Sequence, residues 1–455
     1  MFKQLLAGLC FMAASLNSFA ITITGLPNSH DPGTITKDGN TYFHFTTGTG
    51  IWYSTSTNLT HWTGGPSPVF TSYPSWIYNK IPNFSGDFWA PDVIHMGGYY
   101  YLYYSVSTFG SSNSAIGVAR TASLTSPSWQ DLGAVVQSYG GNNEINAIDP
   151  ALYRDHDGKV YMSYGSFFGG IGIAEVNQST GKLATNVTHI YGGGHQDIEA
   201  PYITRDGDYY YLFINRGSCC NGANSTYYVQ VARSTSIMGP YTGVRTLLPN
   251  SSGKYKGPGH IGLLKENGCN FVSTHYYDTT DNGNAKLDIL KMTYSGGWPT
   301  LTRDFTFASC GGVSDGLYRI TSRSSGKDLM VLNSSTNNGA AVVQYSYAGS
   351  RSQQWYVINQ GTTGNYSLIN ANSLQSLDVF DNSTNPGTII VQWPYWGGNG
   401  QKWKLAASSN YRTIVSVLSG YPLDVLNFST ANNAEIIQWN ATGATNQQWT
   451  FTRLK

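Results

Sequence analysis

Acidic residues locked against prolines recur along this chain. They stand at Asp31-Pro32 in SHDPG, at Pro91-Asp92 in FWAPDV, at Asp149-Pro150 in NAIDPAL, and at Glu199, two residues before Pro201, in IEAPYI. A fifth segment, GPGHIG, carries His260 in place of an acid. A lone Asp-Pro pair reads as a strand cap or turn, and Asp92, which follows its proline, is read that way. Asp31, Asp149 and Glu199 ask for more, because the arrangement returns at intervals of roughly 50 to 60 residues. Carboxylates gathered in one place raise one another's pKa by repulsion and desolvation, so one can stay protonated while another is ionised. Such a pair suits cleavage of a glycosidic bond, in which an acid protonates the leaving oxygen and a carboxylate activates water or attacks the sugar carbon. With a water between them, the two groups should stand roughly 6.5 to 9.5 Å apart.

The elements that must bring these residues together are strands. Between residues 21 and 310, tyrosine-rich alternating runs such as YYYLYYSVS and YYYLFINRG are separated by DG, NG and GG turns, and helix signals are almost absent. Most segments repeat one order: a proline-marked start, a few apolar residues, a polar turn such as KDGN or RDGD, an aromatic strand, then a strand such as AIGVART or YVQVARS. Each unit has the length of a four-stranded propeller blade, so a five-bladed β-propeller is predicted, with the first strand of every blade lining one channel. A β-sandwich accounts for the alternation but not for the restart of every unit on the same proline-linked polar residue.

Composition narrows the partners. The 455 residues carry a net charge of +1, only 11% charged residues, 33 Tyr and 12 Trp, which excludes nucleic acid and disorder and suits contact with neutral sugars. Residues 1–20, with Lys3, an apolar run and the small-x-small end Ser18-Phe19-Ala20, read as an export signal and predict a secreted, extracellular protein. The run is too short to span a bilayer, and no later stretch is apolar enough, so no membrane partner is expected. A monomer is expected. Export permits disulfides among Cys219, Cys220, Cys269 and Cys310; their pairing stays open, and adjacent Cys219 and Cys220 are not expected to bond to each other.

The segments HDPG, FWAPDV, YYYLYYSVSTFGSSNSAIGVA, NAIDPAL, GSFFGGI, IEAPYI, GSCCNGANSTYYVQVARS and GPGHIG closely resemble the endo-1,5-α-L-arabinanases of glycoside hydrolase family 43, in order through about residues 25 to 300. The resemblance implies an inverting hydrolase acting on α-1,5-linked arabinan of plant cell walls. Asp31 would be the general base, Glu199 the general acid, and Asp149 the carboxylate that raises the acid's pKa and orients it. Trp89 and Phe109 would flank the sugar groove, Asn146 and Ser166 would form its polar wall, and His260 would join a mostly water-coordinated cation, often calcium. Two alternatives stay open: another family 43 activity, on arabinofuranosyl branches, xylosides or galactans, or a propeller that only binds glycans.

A second unit is predicted over 313–455, after a propeller over 21–312. It holds three copies of one pattern, each with a D-L-M or L-D-V motif, a VQ or IQ pair and a closing QxW. The tryptophans Trp355, Trp403 and Trp449 fall 48 and 46 residues apart. The triplication is similar to the ricin-type β-trefoil of lectins and family 13 carbohydrate-binding modules. That resemblance implies sugar contact by Asp328, Asp378 and Asp424, with stacking faces from Tyr347, Tyr395, Trp393 and Trp396. The chain departs from the pattern in lacking that family's cysteines and in holding Ser346, Pro394 and Asn440 where a stacking residue usually follows VQ.

Overall fold

The structure is a computed structural model that describes residues 21–25, 28–307, 312–408 and 410–455. The export signal and Cys310 therefore lie outside the described residues. Five antiparallel sheets follow one another along the first part of the chain, and in each the strands pair in sequence order. Their innermost strands are Thr36–Asp38, Asp87–Met96, Ala151–Arg154, Ile198–Asp206 and Tyr255–Glu266, here blades 1 to 5. Tight turns connect the first two strands of a blade. In blade 2 the turn is Gly97-Gly98 and in blade 5 Asn267-Gly268, all at positive φ, the geometry that a two-residue hairpin needs to match strand twist.

Hydrophobic clusters lie between neighbouring blades and close the ring. Phe43, Phe45, Phe88 and Tyr104 fill the space between blades 1 and 2. The last cluster joins blade 5 to blade 1 through Ile35, Tyr42 and Trp62 against Leu264, Phe271 and Ile289. Near the axis the packing is tighter still: a Cβ on Gly33 would fall 2.2 Å from the Pro91 carbonyl oxygen, and one on Gly262 would fall 2.5 Å from the Gly33 backbone. Only glycine permits that approach. The fold is the predicted five-bladed propeller.

The second part is a β-trefoil. Trp355, Trp403 and Trp449 are fully buried in one core with Ile320, Leu329, Leu377 and Leu423. The glutamines of the VQ and IQ pairs hold the three repeats in a cycle. Gln344 Nε2 donates to the Ser429 and Ala431 carbonyls, Gln392 to Ser335 and Asn337, and Gln438 to Ser383 and Asn385. Each repeat thus satisfies the loop of another, so the symmetry is itself a hydrogen-bond network.

The trefoil docks on the propeller where the innermost strands end. Asp206 accepts from Thr362 N at 2.6 Å and from its hydroxyl at 3.1 Å. Glu266 pairs with Lys37 at 2.7 Å and with Arg453 at 3.0 Å, and Lys455 pairs with Asp38 at 3.1 Å. The carboxylates Asp31, Asp149 and Glu199 lie at the opposite, starting ends of these strands. The trefoil therefore covers one end of the channel and leaves the other to the site.

Candidate active site

One feature of backbone geometry repeats in all five blades. Asp31, Ala90, Asp149, Ala200 and His260 have φ of 46°, 43°, 59°, 51° and 55°. Four of the five precede a proline, a setting that disfavours helical backbone and favours extended backbone. A non-glycine residue adopts the left-handed region only where its surroundings hold it, and such strain concentrates at functional sites. Strand pairing slips at the same points, between Trp89 and Asp92, Glu199 and Tyr202, and Gly259 and Gly262, and such bulges re-aim side chains beside active sites.

This register corrects the one read from the acids alone. Asp92 and Glu199 are not equivalents of Asp31: the equivalent residues are Ala90 and Ala200. Glu199 precedes its left-handed residue and is the counterpart of His30 and Trp89. Asp92 is buried and bridges three blades, accepting from Thr34 N at 2.8 Å and Leu152 N at 2.7 Å. It is a structural cap.

The N–H of each left-handed residue needs a partner, and in four blades a side chain from the second strand of the preceding blade, or just beyond it, supplies one. Asp31 N donates to His275 Nδ1 (3.2 Å), Ala90 N to Thr47 Oγ1 (2.9 Å), Asp149 N to Ser105 Oγ (2.9 Å) and His260 N to Asn215 Oδ1 (3.0 Å). Blade 4 differs, because there Ala200 N donates to Asp149 Oδ2 at 3.0 Å. A carboxylate does in that blade what neutral groups do elsewhere, and it is thereby fixed beside Glu199.

Asp31, Asp149, Glu199 and His260 line one cavity of about 780 Å³, with Trp89, Phe109, Asn146 and Ser166 in its walls. All eight residues expected at the site are brought together. Phe109 is 81% exposed at the rim, whereas Asn146 and Ser166 are buried and joined by a 2.9 Å hydrogen bond from Asn146 Nδ2 to Ser166 Oγ.

The carboxylates are driven in opposite directions. Burial would raise the Asp31 pKa, but His30, with help from His260 and His275, holds it far below the usual carboxylate range. His30 Nδ1 lies 2.8 Å from Asp31 Oδ2, and Thr47 Oγ1 donates to the same oxygen at 2.8 Å. Glu199 is pushed up to about 7, chiefly by burial, against a hydrogen bond from Tyr227 and with a further upward push from Asp31. Asp149 is raised well above its ordinary value by burial and by the neighbouring Glu199 and Asp31. The site thus holds one ionised carboxylate opposite a buried pair that retains a proton near neutrality.

The expected cation fits these residues poorly. Among the described residues, one trio of close potential ligands is His30, Asp31 and His275, and its atoms are already committed. His30 Nδ1 bonds Asp31, His30 Nε2 bonds Tyr277 at 2.8 Å, and His275 Nδ1 accepts the Asp31 N–H. His260 is outside that trio, and one imidazole is no calcium cage, since calcium takes six to eight oxygens.

Sequence reasoning missed His30, Thr47, Tyr227, His275 and Tyr277, all of which touch the carboxylates or their partners. His30 sits beside Asp31 in HDPG and Tyr227 lies in GSCCNGANSTYYVQVARS; Thr47 follows the strand Thr41–Thr46, and His275 and Tyr277 lie in the strand Cys269–Asp278, where nothing separates them from core residues. The expectation against a bond between adjacent cysteines is overturned: Cys219 and Cys220 form a vicinal disulfide, which lines the cavity. The loop holds Cys220 at φ 66°, a conformation in which the neighbouring sulfurs meet. Cys269 is also disulfide-bonded.

The three trefoil pockets are not alike. In the first repeat Asp328 is fully buried, with Arg319 Nη2 and Thr321 Oγ1 donating to Oδ1 at 3.1 and 2.5 Å and Arg319 Nε 3.1 Å from Oδ2. Arg319 also covers the Tyr347 ring at 4.0 Å. The expected sugar acceptor and stacking face are therefore occupied by one guanidinium. In the second repeat Asp378 accepts from Gln401 Nε2 (2.8 Å) and Trp396 Nε1 (3.3 Å), and in the third Asp424 accepts from Asn446 Nδ2 (2.7 Å) and Gln447 Nε2 (2.8 Å). Trp393, Trp396 and Trp439 are exposed near them, at 41%, 51% and 41%. Tyr395 is a further correction: it packs against the cluster of Leu317, Tyr356 and Ile358, and its hydroxyl accepts from Gln360, so it offers no sugar-facing ring.

Residues 24–299 match the model of "Glycosyl hydrolases family 43". The chain belongs to glycosyl hydrolase family 43. Residues 302–393 and 399–455 of this family 43 glycosidase match a "Ricin-type beta-trefoil lectin domain-like" model. It is 39% identical over 313 residues to the "Extracellular endo-alpha-(1->5)-L-arabinanase 1" of Bacillus subtilis, covering 65% of this chain and 94% of the relative. It is 37% identical to the "Extracellular exo-alpha-(1->5)-L-arabinofuranosidase ArbA" of Cellvibrio japonicus, covering 65% and 91%. Among solved structures, a GH43 endo-arabinanase from Bacillus licheniformis superimposes with a TM-score of 0.58 and 39% identity, covering 61% of this chain and 99% of that one. The family 43 glycosidase thus has both endo- and exo-acting relatives.

Proposed function

We propose that this glycosidase is a secreted endo-1,5-α-L-arabinanase that inverts configuration at the cleaved carbon and is held on plant-wall polysaccharide by its trefoil. The reading is carried by the convergence of Asp31, Asp149 and Glu199 in one cavity with opposed proton affinities. Asp31, ionised, takes the proton from water as general base; Glu199, protonated, delivers one to the leaving oxygen; Asp149 keeps the acid protonated and bridges it to the next strand. Trp89 and Phe109 offer the sugar apolar faces, while Asn146 and Ser166 offer hydrogen bonds. Secretion is supported by the two relatives named extracellular and by the disulfides.

Incubation with linear 1,5-arabinan tests the reading. Internal cleavage releases a ladder of oligomers early, whereas a single product size from the start assigns exo action; proton NMR of the first product reads the anomeric outcome. The pH profile of kcat/KM is a further test. The general acid must be protonated, so activity is expected to fall tenfold per unit as pH rises beyond about 7, where Glu199 ionises. Asp31 stays ionised throughout the mildly acidic range, so no matching loss is expected between pH 7 and 5. An alkaline limb starting two units higher would remove Glu199 as the acid.

In the trefoil, Asp378 and Asp424 are proposed to hold sugar hydroxyls and Asp328 is not. Asp424→Asn and Asp378→Asn should each weaken retention on immobilised arabinan, galactan or xylan by about tenfold, the loss of one charge-assisted hydrogen bond. Asp328→Asn should leave retention unchanged, and equal losses in all three variants would refute the assignment.

A further inference from the structure

We infer that Tyr277 and the Cys219–Cys220 disulfide are positioning groups for the Asp31 carboxylate, acting on it through the His30 imidazole; this rests on Asp31 being the general base. The contacts form one chain. His30 Nδ1 is 2.8 Å from Asp31 Oδ2, His30 Nε2 is 2.8 Å from Tyr277 Oη, and Cys220 N donates to Tyr277 Oη at 2.7 Å. Chemistry sets its direction. An ionised carboxylate only accepts, so His30 Nδ1 carries a proton toward Asp31; at the other edge of the ring Nε2 shares a hydrogen bond with the Tyr277 hydroxyl, whose oxygen takes the Cys220 N–H.

Both ends of the chain are held. His30 stacks on His275 with ring centroids 4.5 Å apart, which controls its face, while Tyr277 controls its edge. At the far end the disulfide ties residues 219 and 220 together, so Cys220 keeps its left-handed backbone and its N–H stays aimed at Tyr277. The consequence falls on Asp31. His30 and Thr47 both hold Oδ2, while Oδ1, 3.6 Å from His275 Nδ1, is left to meet water. An imidazole free to swing would let the carboxylate rotate and present the wrong oxygen.

Tyr277 does not line the cavity, whereas Cys219 and Cys220 do, and this makes Tyr277→Phe the clean probe. In the full-length protein it should lower kcat on linear arabinan about tenfold, the value of one hydrogen bond in a charged chain, with KM within twofold. Cys219→Ser with Cys220→Ser should lower kcat similarly, and the triple variant should be no slower than the double, because the groups act as one unit. Treatment with dithiothreitol should bring the wild type to the same kcat: the reagent gives up two electrons and two hydrogens, closing its own disulfide and leaving two thiols. The double variant should not respond, which controls for the disulfide at Cys269. Melting midpoints identify any unfolded variant; should Tyr277→Phe unfold, the double variant and the dithiothreitol response decide. An unchanged kcat in Tyr277→Phe, or losses that multiply in the triple variant, overturns the inference. If Asp31→Asn is inactive while Tyr277→Phe is normal, only this inference fails; if Asp31→Asn stays active, the general-base reading itself fails.

Discussion

Replacing Asp31 by asparagine should lower kcat on linear arabinan by on the order of 10³-fold, within the range that a positioned general base contributes. The amide has the same shape and can still accept from Thr47, so binding and fold should persist. It cannot take a proton from water, and it removes the negative charge that the surrounding imidazoles stabilise. KM should therefore move little while kcat collapses, which separates loss of a chemical group from loss of a contact. Burial pulls the His30 pKa down while Asp31, helped by Glu199, pushes it up, so the variant should also show a lower His30 pKa by NMR. A loss below tenfold would mean that another group activates the water.

Glu199→Gln should cost a similar factor on the polymer, but the loss should depend on the substrate. An arabinofuranoside with an acidic phenol as leaving group departs without a proton, so the variant should retain most of its wild-type rate there, and the difference between the two substrates isolates the proton delivered. The alkaline limb should vanish together with the group that titrates near 7. Asp149→Asn should behave differently again, because its carboxylate holds Ala200 N and in the proposed mechanism keeps the acid protonated: the limb should shift down in pH rather than disappear. Equal losses for Glu199→Gln on both substrates would show that residue 199 does not act as the acid.

The contrast between the three trefoil aspartates shows how local sequence and tertiary contact divide the work. The motif around Asp328 matches those around Asp378 and Asp424, yet Arg319, nine positions earlier, fills the first pocket. The repeat pattern carries the fold because its tryptophans and glutamines face a shared core. It does not carry the ligand assignment, because one long side chain outside the motif can occupy a site.

By itself, the sequence determined the strand content, the five-unit period, the threefold repeat and the residue types gathered at the channel, since alternation, turn residues and spacing are local properties of a chain. Tertiary structure decided the register, in which Ala90 and Ala200 rather than Asp92 and Glu199 match Asp31. It also decided the histidine and tyrosine partners of the carboxylates, the bond between adjacent cysteines, and the occupation of the first trefoil pocket by Arg319. For the register and the partners of the carboxylates the physical reason is the same. Proton affinity and hydrogen-bond direction depend on groups that meet only when separate blades pack, as when His275 from blade 5 receives the Asp31 N–H of blade 1.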